Sequence, residues 1–454
     1  MAFKTYEEAR NFLFGFTNYE RVVDFDYNAS KLDLRRMRAL LEFLGEPHLA
    51  MHAVHITGTK GKGSTALMIA EILRAAGVRT GAYMSPHLVR LEERICVNGE
   101  MIPEDELVRQ VNLLLPHLEA CARSGRRFAT PTFFEIFTAI AWRYFKECGV
   151  EVAVVEVGLG GRLDSTNIIA PDVCIITNIS LDHTRQLGGT PPRIAAEKAG
   201  IVKPGVPVLT AVTDDESLRV IADRCRGAGA PLYLLGRDIL LEGDGEFSVG
   251  LGRRTVGGLS LKVPGRHQRW NAALAVAAAF VLSESFPAIG DGAIRAGLRR
   301  VELPGRIEVT QRKPTVIIDG AHNAASIECL LDSLHDDFAC DSLRLVFAVV
   351  TGKDIAGMAR RIAERARELK LESLTLTGTD SPRSCGRETL LPVFEQALGA
   401  AGVDVRVEWS DDVRHLYDCA TKAPPGALTC FTGSMYLAGR VKEIVLSTMP
   451  GAET

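Results

Sequence analysis

The chain has 454 residues, 46% of them hydrophobic, enough for two or three globular domains with cores of their own. Its 53 lysines and arginines against 56 aspartates and glutamates leave a formal charge of -3, so the broad basic surface that nucleic-acid binding usually needs is missing. The longest apolar stretches, such as Ala272 to Leu282, fall short of the roughly 18–20 residues of a membrane span, and the opening "MAFKTYEEARNF" has no signal-peptide core.

Ten scattered cysteines without a CxxC pair read as small buried hydrophobes of a reduced protein, neither a disulfide frame nor a zinc site. The expected location is therefore the cytoplasm, with no membrane and no nucleic acid as partner.

In chain order, the first strong signal is "HITGTKGKGSTALMIAEILRAAG", from His55 to Gly77. An apolar run (Ala53, Val54, Ile56) breaks into a glycine-lysine loop, and Leu67, Ile69, Ile72 and Leu73 follow at helical spacing before Gly77. Gly58, Gly61 and Gly63 let the backbone take positive φ and approach a ligand closely, while the first amides of a Ser64–Ala76 helix are left unpaired. That geometry binds phosphate. Lys62 adds a cation, and Ser64 or Thr65 a hydroxyl, although the spacing departs from GxxxxGK[ST] and glycine-lysine turns also occur without ligands.

Beyond the loop, "RTGAYM", "VEVAVVEVG", "DVCIITNI" and "VPVLTAV" alternate with helical patterns such as "FFEIFTAIAWRYFKECG". Near-continuous apolar strands between helices mean a parallel sheet covered on both faces, hence a doubly wound α/β domain. "MSPHL" supplies Ser85, the strand ending at Glu156 supplies a carboxylate, and "NISLDHT" supplies Asp182 and His183. Ligands gather at the carboxyl ends of such strands, so hydroxyl, carboxylate and imidazole converge on the loop, which suits Mg²⁺ bridging the phosphates of ATP. Lys198 in "EKAGIVKPG" reads on pattern alone as a solvated lysine.

Leu240 to Val263 turns glycine-rich and suggests a few antiparallel edge strands. After the helix in "HQRWNAALAVAAAFVLSES", Pro304 and Gly305 interrupt regular structure, and the strand-helix alternation restarts. Five strands are expected there: "PTVIIDG", "SLRLVFAVV", "LESLTLTG", "DVRVEW" and "ALTCFTG". The expected domains are 1–302, a P-loop-type ATP-binding domain, and 303–454, a smaller Rossmann-like domain. "IIDGAHN" places Asp319, His322 and Asn323 at a strand end, and with Arg306 they suit a domain that closes over a nucleotide.

Taken together, "TGTKGKGS", "SPHL", "ERICVNGEMI", "TFFEIFTA", "EVGLGGRLDSTN", "LDHT", "AAEKAGIVKPG", "HQRWNAALA", "LPGRIEV", "DGAHN" and "FTGSMYLAGRV" resemble, in this order, the folylpolyglutamate synthase/dihydrofolate synthase family of the Mur ligase superfamily. The match runs from "FTNYER" to about Val445. The resemblance implies ATP-dependent addition of L-glutamate to a folate or dihydropteroate carboxylate by a monomeric enzyme whose partners are small molecules. It implies that Gly58, Thr59, Lys60, Gly61, Lys62, Gly63, Ser64 and Thr65 hold the ATP phosphates. Ser85, Glu156 and His183 would be magnesium ligands. Lys198 would be carboxylated to serve a second magnesium, reversing its reading as solvated, and K⁺ is a further candidate ion. Asn271 would contact adenine, with Arg306, Asp319 and His322 closing on the nucleotide. Thr132, Phe134, Asp164 and Ser165 match pterin-binding positions, and Ser434 lies in a motif implicated in the incoming glutamate. Two departures are Lys60, where bacterial members usually carry asparagine, and Arg185, where an acidic residue is common.

Rivals differ in chemistry. A cell-wall peptide ligase of the same superfamily would share the loop but normally begins with a UDP-binding domain, for which a loop starting by residue 57 leaves no room. A regulatory or transport ATPase would need no glutamate site. A plain NAD-binding protein lacks its GxGxxG after the first strand.

Overall fold

The computed structural model describes the whole chain except residues 1, 21, 23, 24, 26, 29, 30, 124–129 and 449–454; Arg21 of "FTNYER" thus lies outside the described residues. The chain divides into two compact units. The first comprises Met1–His87, Leu91–Lys262 and Arg269–Val301, and the second Leu88–Arg90, Val263–Gln268 and Glu302–Thr454.

Among the described residues the main sheet of the first unit has eight strands: β1 (His52–Thr57), β2 (Thr80–Tyr83), β3 (Ile95–Val97), β4 (Glu100–Met101), β5 (Val152–Glu156), β6 (Val173–Ile176), β7 (Val208–Thr210) and β8 (Leu232–Leu234). Their order is β4-β3-β2-β5-β1-β6-β7-β8, parallel from β2 to β8, with β3 and β4 added antiparallel at one edge. Both faces are covered. Ala153 and Val155 of β5 pack with the helices Leu34–Phe43 and Phe133–Glu147, whereas Cys174 and Ile176 of β6 pack with Ala195, Ile221 and Cys225. This double burial is why the strands read as unbroken apolar runs.

β1 lies between β5 and β6, with Ile56 opposite Glu156 on one side and Ile175 on the other. The chain leaves β1 for β2 on one side and reaches β6 on the other, so the carboxyl end of β1 opens into the crevice of a switch point. The helix that follows runs Lys62–Ala75, two residues earlier at its start than the hydrophobic spacing suggests. Its buried stripe is Met68, Ile69, Ile72 and Leu73, with Leu67 only partly covered. The helix Asp291–Arg300 crosses it closely: a Cβ on Gly297 would stand 2.5 Å from the Ile72 Cα.

The glycine-rich stretch after Leu240 does not edge the main sheet. It forms its own antiparallel sheet, β11-β10-β9, from β9 (Ile239–Glu242), β10 (Phe247–Leu251) and β11 (Arg254–Leu259).

The second unit carries six strands where five were expected: β12 (Glu308–Arg312), β13 (Thr315–Ile318), β14 (Ser342–Phe347), β15 (Leu371–Leu376), β16 (Arg406–Trp409) and β17 (Ala427–Thr432). The order is β12-β13-β17-β14-β15-β16, with the additional β12 antiparallel and the rest parallel. Ile317 faces one helical layer, with Leu330 and Leu334; Val316 and Ile318 face the other, with Leu437 and Val441.

Four of the ten cysteines (Cys174, Cys225, Cys385 and Cys430) are buried and Cys329 and Cys419 are exposed, so burial describes only part of the set. Among the described residues no helix is long and apolar enough to cross a membrane.

Candidate active site

The loop between β1 and its helix is held open by two glycines with different jobs. Gly58 has φ +149, and a Cβ there would meet the Thr177 hydroxyl at 1.8 Å. Gly61, at φ +81, is the N-cap, and a Cβ there would meet the Asn271 Oδ1 at 2.3 Å. No side chain caps the helix, so its first amides stay free for an anion. Gly63 sits inside the helix, where a Cβ would come only to 3.5 Å of the Glu156 carboxylate.

The floor of the loop comes from the end of β6, which the sequence reading did not single out. Thr59 N donates to Asn178 O at 2.9 Å, Lys60 N donates to Asn178 Oδ1 at 2.8 Å, and the Thr177 hydroxyl donates to Lys60 O at 2.5 Å. The signal was the polar "TN" that ends an otherwise apolar strand. Lys60 extends its amine to Asp182 at 3.0 Å, so the residue that departs from the bacterial pattern is tied down by an ion pair.

Lys62 donates to Gly58 O at 3.2 Å and lies 3.9 Å from Glu156 Oε1, curled over the loop. Glu156 is buried and accepts from Ser85 N at 3.0 Å, which brings together the ends of β5 and β2. Ser64 and Thr65 are buried on the first turn, and the Thr65 hydroxyl has no hydrogen-bond partner. His183 is half exposed, at φ +49, with its Nε2 4.0 Å from Asp182 Oδ1. Among the described residues no three His, Cys, Asp or Glu side chains converge as a ready-made metal site.

Lys198 overturns its pattern-based reading as a solvated lysine. It ends the helix Pro191–Lys198, is only 5% exposed, and its Nζ donates to Gly58 O at 2.8 Å. Burial, and next the Lys62 cation, hold its amine well below the ordinary lysine range.

The glycine turn after β5 is fastened from several sides. Thr57 donates to Gly160 O at 2.7 Å, Arg162 pairs with Glu197 at 2.9 Å, and Lys203 Nζ donates to Asn167 O and Oδ1, each at 2.8 Å. Asp164 caps the turn Ser165–Ile168 and accepts from Leu159 N and Thr166 N; burial raises its pKa against these donors. Ser165 shares a hydrogen bond of 2.9 Å with Thr138, which also bonds the Tyr83 hydroxyl. Phe134 lies over Gly158, where a Cβ would approach its ring at 2.5 Å. Thr132 is engaged as the N-cap of Phe133–Glu147 in a capping box with Glu135. Arg185 is exposed on the short helix Thr184–Leu187.

In the second unit, Asp319 follows β13, buried, and accepts from Ile307 N at 2.9 Å and Ala321 N at 2.7 Å. Burial raises its pKa, opposed by Arg306. The Arg306 guanidinium rests on Met435 Sδ at 2.7 Å. His322 Nδ1 bonds Gly320 O at 2.8 Å, and Asn323 caps the helix Ala324–Asp337. Ser434, 2% exposed, follows β17 and accepts from Tyr436 N at 3.1 Å. Gly433 needs its φ of +96, since a Cβ would lie 2.4 Å from Ala348 O.

Comparison with known proteins agrees with both halves. Residues 132–279 match the Mur ligase middle domain, and 305–435 match the Mur ligase glutamate ligase domain. The chain is 34% identical over 451 residues to the dihydrofolate synthase/folylpolyglutamate synthase of Bacillus subtilis (strain 168), covering 97% of this chain and 99% of that one. It is 33% identical to the folylpolyglutamate synthase of Lacticaseibacillus casei, covering 94% and 99%. Among solved structures, Mycobacterium tuberculosis folylpolyglutamate synthase complexed with ADP superposes with a TM-score of 0.86 at 28% identity, covering 97% and 98%. The Thermotoga maritima folylpolyglutamate synthase gives 0.80 at 31%, covering 98% and 97%. With near-complete coverage on both sides, the chain belongs to the folylpolyglutamate synthase/dihydrofolate synthase family of Mur ligases.

Proposed function

We propose that this chain is an ATP-dependent amide ligase that adds L-glutamate to a folate or dihydropteroate carboxylate through an acyl phosphate. The observation that carries the reading is the uncapped helix start behind Gly61, with Lys62 folded over it, in a chain whose other unit matches a glutamate ligase domain.

Joining a carboxylate to an amine in water is uphill, so the carboxylate first takes the γ-phosphoryl group of ATP. The amides at the helix start and the Lys62 amine face the charge that builds on that group. The unpartnered Thr65 hydroxyl and the buried Glu156 carboxylate are oxygen donors of the kind magnesium takes. Ser85, Glu156, His183 and a carboxylated Lys198 would hold the metal. When bound, magnesium supplies Lewis-acid neutralisation of phosphate charge. His183 as a ligand is neutral and serves to position. Asn271 is assigned to the adenine, Thr132, Phe134, Asp164 and Ser165 to the pterin acceptor, and Ser434 to glutamate. Arg306, Asp319 and His322 are assigned to the nucleotide, and the acyl phosphate must be kept from water that would hydrolyse it. The glutamate amine then attacks the acyl carbon and phosphate leaves. No covalent enzyme intermediate is needed.

The test is ADP release by purified protein with dihydropteroate and with a reduced folate monoglutamate in turn, each with and without glutamate. Release that requires both acceptor and glutamate is expected. Release indifferent to both would mark a plain ATPase and overturn the reading. Lys62→Ala should cut turnover by about 10²–10³ at saturating ATP while leaving the fold intact, because its contacts are a backbone carbonyl and one loose ion pair. Unchanged turnover would remove Lys62 from the chemistry.

A further inference from the structure

In the middle of β1, where valine or isoleucine would pack without penalty, stands His55, fully buried. Its Nε2 lies 2.9 Å from the Thr166 hydroxyl, and its Nδ1 has no hydrogen-bond partner. A buried ring nitrogen without a partner is a cost, so what the imidazole offers here over an apolar side chain is its other nitrogen's bond to Thr166. The Thr166 hydroxyl is in turn 2.5 Å from Asp164 Oδ1, a separation that requires a proton between the two oxygens. Asp164 also accepts from backbone amides on both oxygens, Thr166 N on Oδ1 and Leu159 N on Oδ2, and these donors favour its acceptor-only carboxylate form against the burial that raises its pKa. With the carboxylate as acceptor the hydroxyl proton lies on Thr166, and a lone pair left on that hydroxyl takes a hydrogen from His55 Nε2.

We infer that His55 is a positioning residue for acceptor binding: its Nε2–H fixes the Thr166 hydroxyl as a donor to Asp164 and so holds the turn that presents Asp164 and Ser165. This rests on the ligase reading above. Burial and the Lys203 cation drive the imidazole pKa down to about 3, so His55 is neutral throughout the working range and the orientation is not altered by pH. The chain of bonds from His55 ends on Thr166 and Asp164, the acceptor positions, whereas the glycine turn's own tie to the phosphate loop, Thr57 to Gly160 O, does not pass through it; its loss should therefore weigh on acceptor more than on nucleotide.

The experiment compares wild type with His55→Gln, which keeps a donor near Nε2, His55→Leu, which removes it, and the near-isosteric Thr166→Val, each followed by KM for the acceptor, KM for ATP and thermal midpoint. Glutamate-dependent ADP release by wild type establishes the ligase reading separately. His55→Leu and Thr166→Val should each raise the acceptor KM about tenfold, the worth of one oriented hydrogen bond to a charged group, while the ATP KM moves less than about twofold. The double variant should be no worse than either single one, and His55→Gln should recover most of the loss. Equal shifts in both KM values, or no difference between His55→Gln and His55→Leu, would reduce His55 to a packing residue. Should His55→Leu fail to fold, direct titration of Thr166→Val with the acceptor decides, and unchanged affinity overturns the inference.

Discussion

Burial decides what Lys198 can do. On pattern it is one more lysine in a helix beside Glu197; only long-range packing, which sequence spacing does not encode, takes its amine out of water and onto Gly58 O. A depressed amine pKa leaves more neutral amine, the form that reacts with carbon dioxide, so the environment favours the carboxylation that family resemblance implies. In metal-free protein without bicarbonate, the unfolded chain keeps Lys198 protonated up to about 10.5 while the folded chain releases the proton earlier. Through that window the unfolded state binds more protons, so stability should rise with pH, and Lys198→Met should flatten the rise. Thermal midpoints of the two proteins between pH 7 and 10 check this; parallel curves would show that the amine is not depressed. With ¹³C-labelled bicarbonate, wild type should show a carbamate carbon resonance that Lys198→Arg lacks, because guanidinium keeps its charge.

At the scale of elements, the phosphate loop was legible because its cause is local. Three glycines and two lysines between an apolar run and a 3.6-residue period leave few alternatives to a strand, a tight turn and a helix start. β12 was not legible, since the chain enters it through Pro304, Gly305 and Ile307, the last at φ +49, and its pairing with β13 depends on a partner rather than on its own composition. The sequence suggests antiparallel edge strands over Leu240 to Val263, and the strands form but make the separate sheet β9–β11 instead of an edge, because glycine-rich hairpins carry no address. The loop's geometry makes its own prediction. Gly61→Ala forces a Cβ into a left-handed residue, costing about 1–2 kcal/mol, and drives it into the Asn271 side chain. Thermal stability should fall accordingly, and ADP affinity, by titration calorimetry, should drop at least about tenfold as the amides are turned away from phosphate. Retained affinity would mean that nucleotide does not bind at this helix start.

For the molecule as a whole, the candidate residues fall into two sets on separate units, Lys62, Glu156 and Lys198 on one and Asp319, His322 and Ser434 on the other. Of the second set Asp319 and His322 are assigned to the nucleotide and Ser434 alone to glutamate, so if glutamate is captured at Ser434 the two half-reactions can be separated by substitution there. Acyl-phosphate formation is reversible and needs ATP and acceptor but no glutamate. Oxygen label placed in the β,γ bridge of ATP should then migrate to non-bridging β positions whenever the intermediate forms and ADP turns over before the reverse step. Wild type should scramble label with acceptor present and glutamate absent. Ser434→Ala should keep this exchange, within about threefold, and lose most amide product, since the buried hydroxyl it removes belongs to the assigned glutamate site. Lys62→Ala should lose exchange and product together. Loss of exchange in Ser434→Ala at an unchanged thermal midpoint would show that the site assigned to glutamate is already required for phosphoryl transfer, and the separation of the two half-reactions would have to be abandoned.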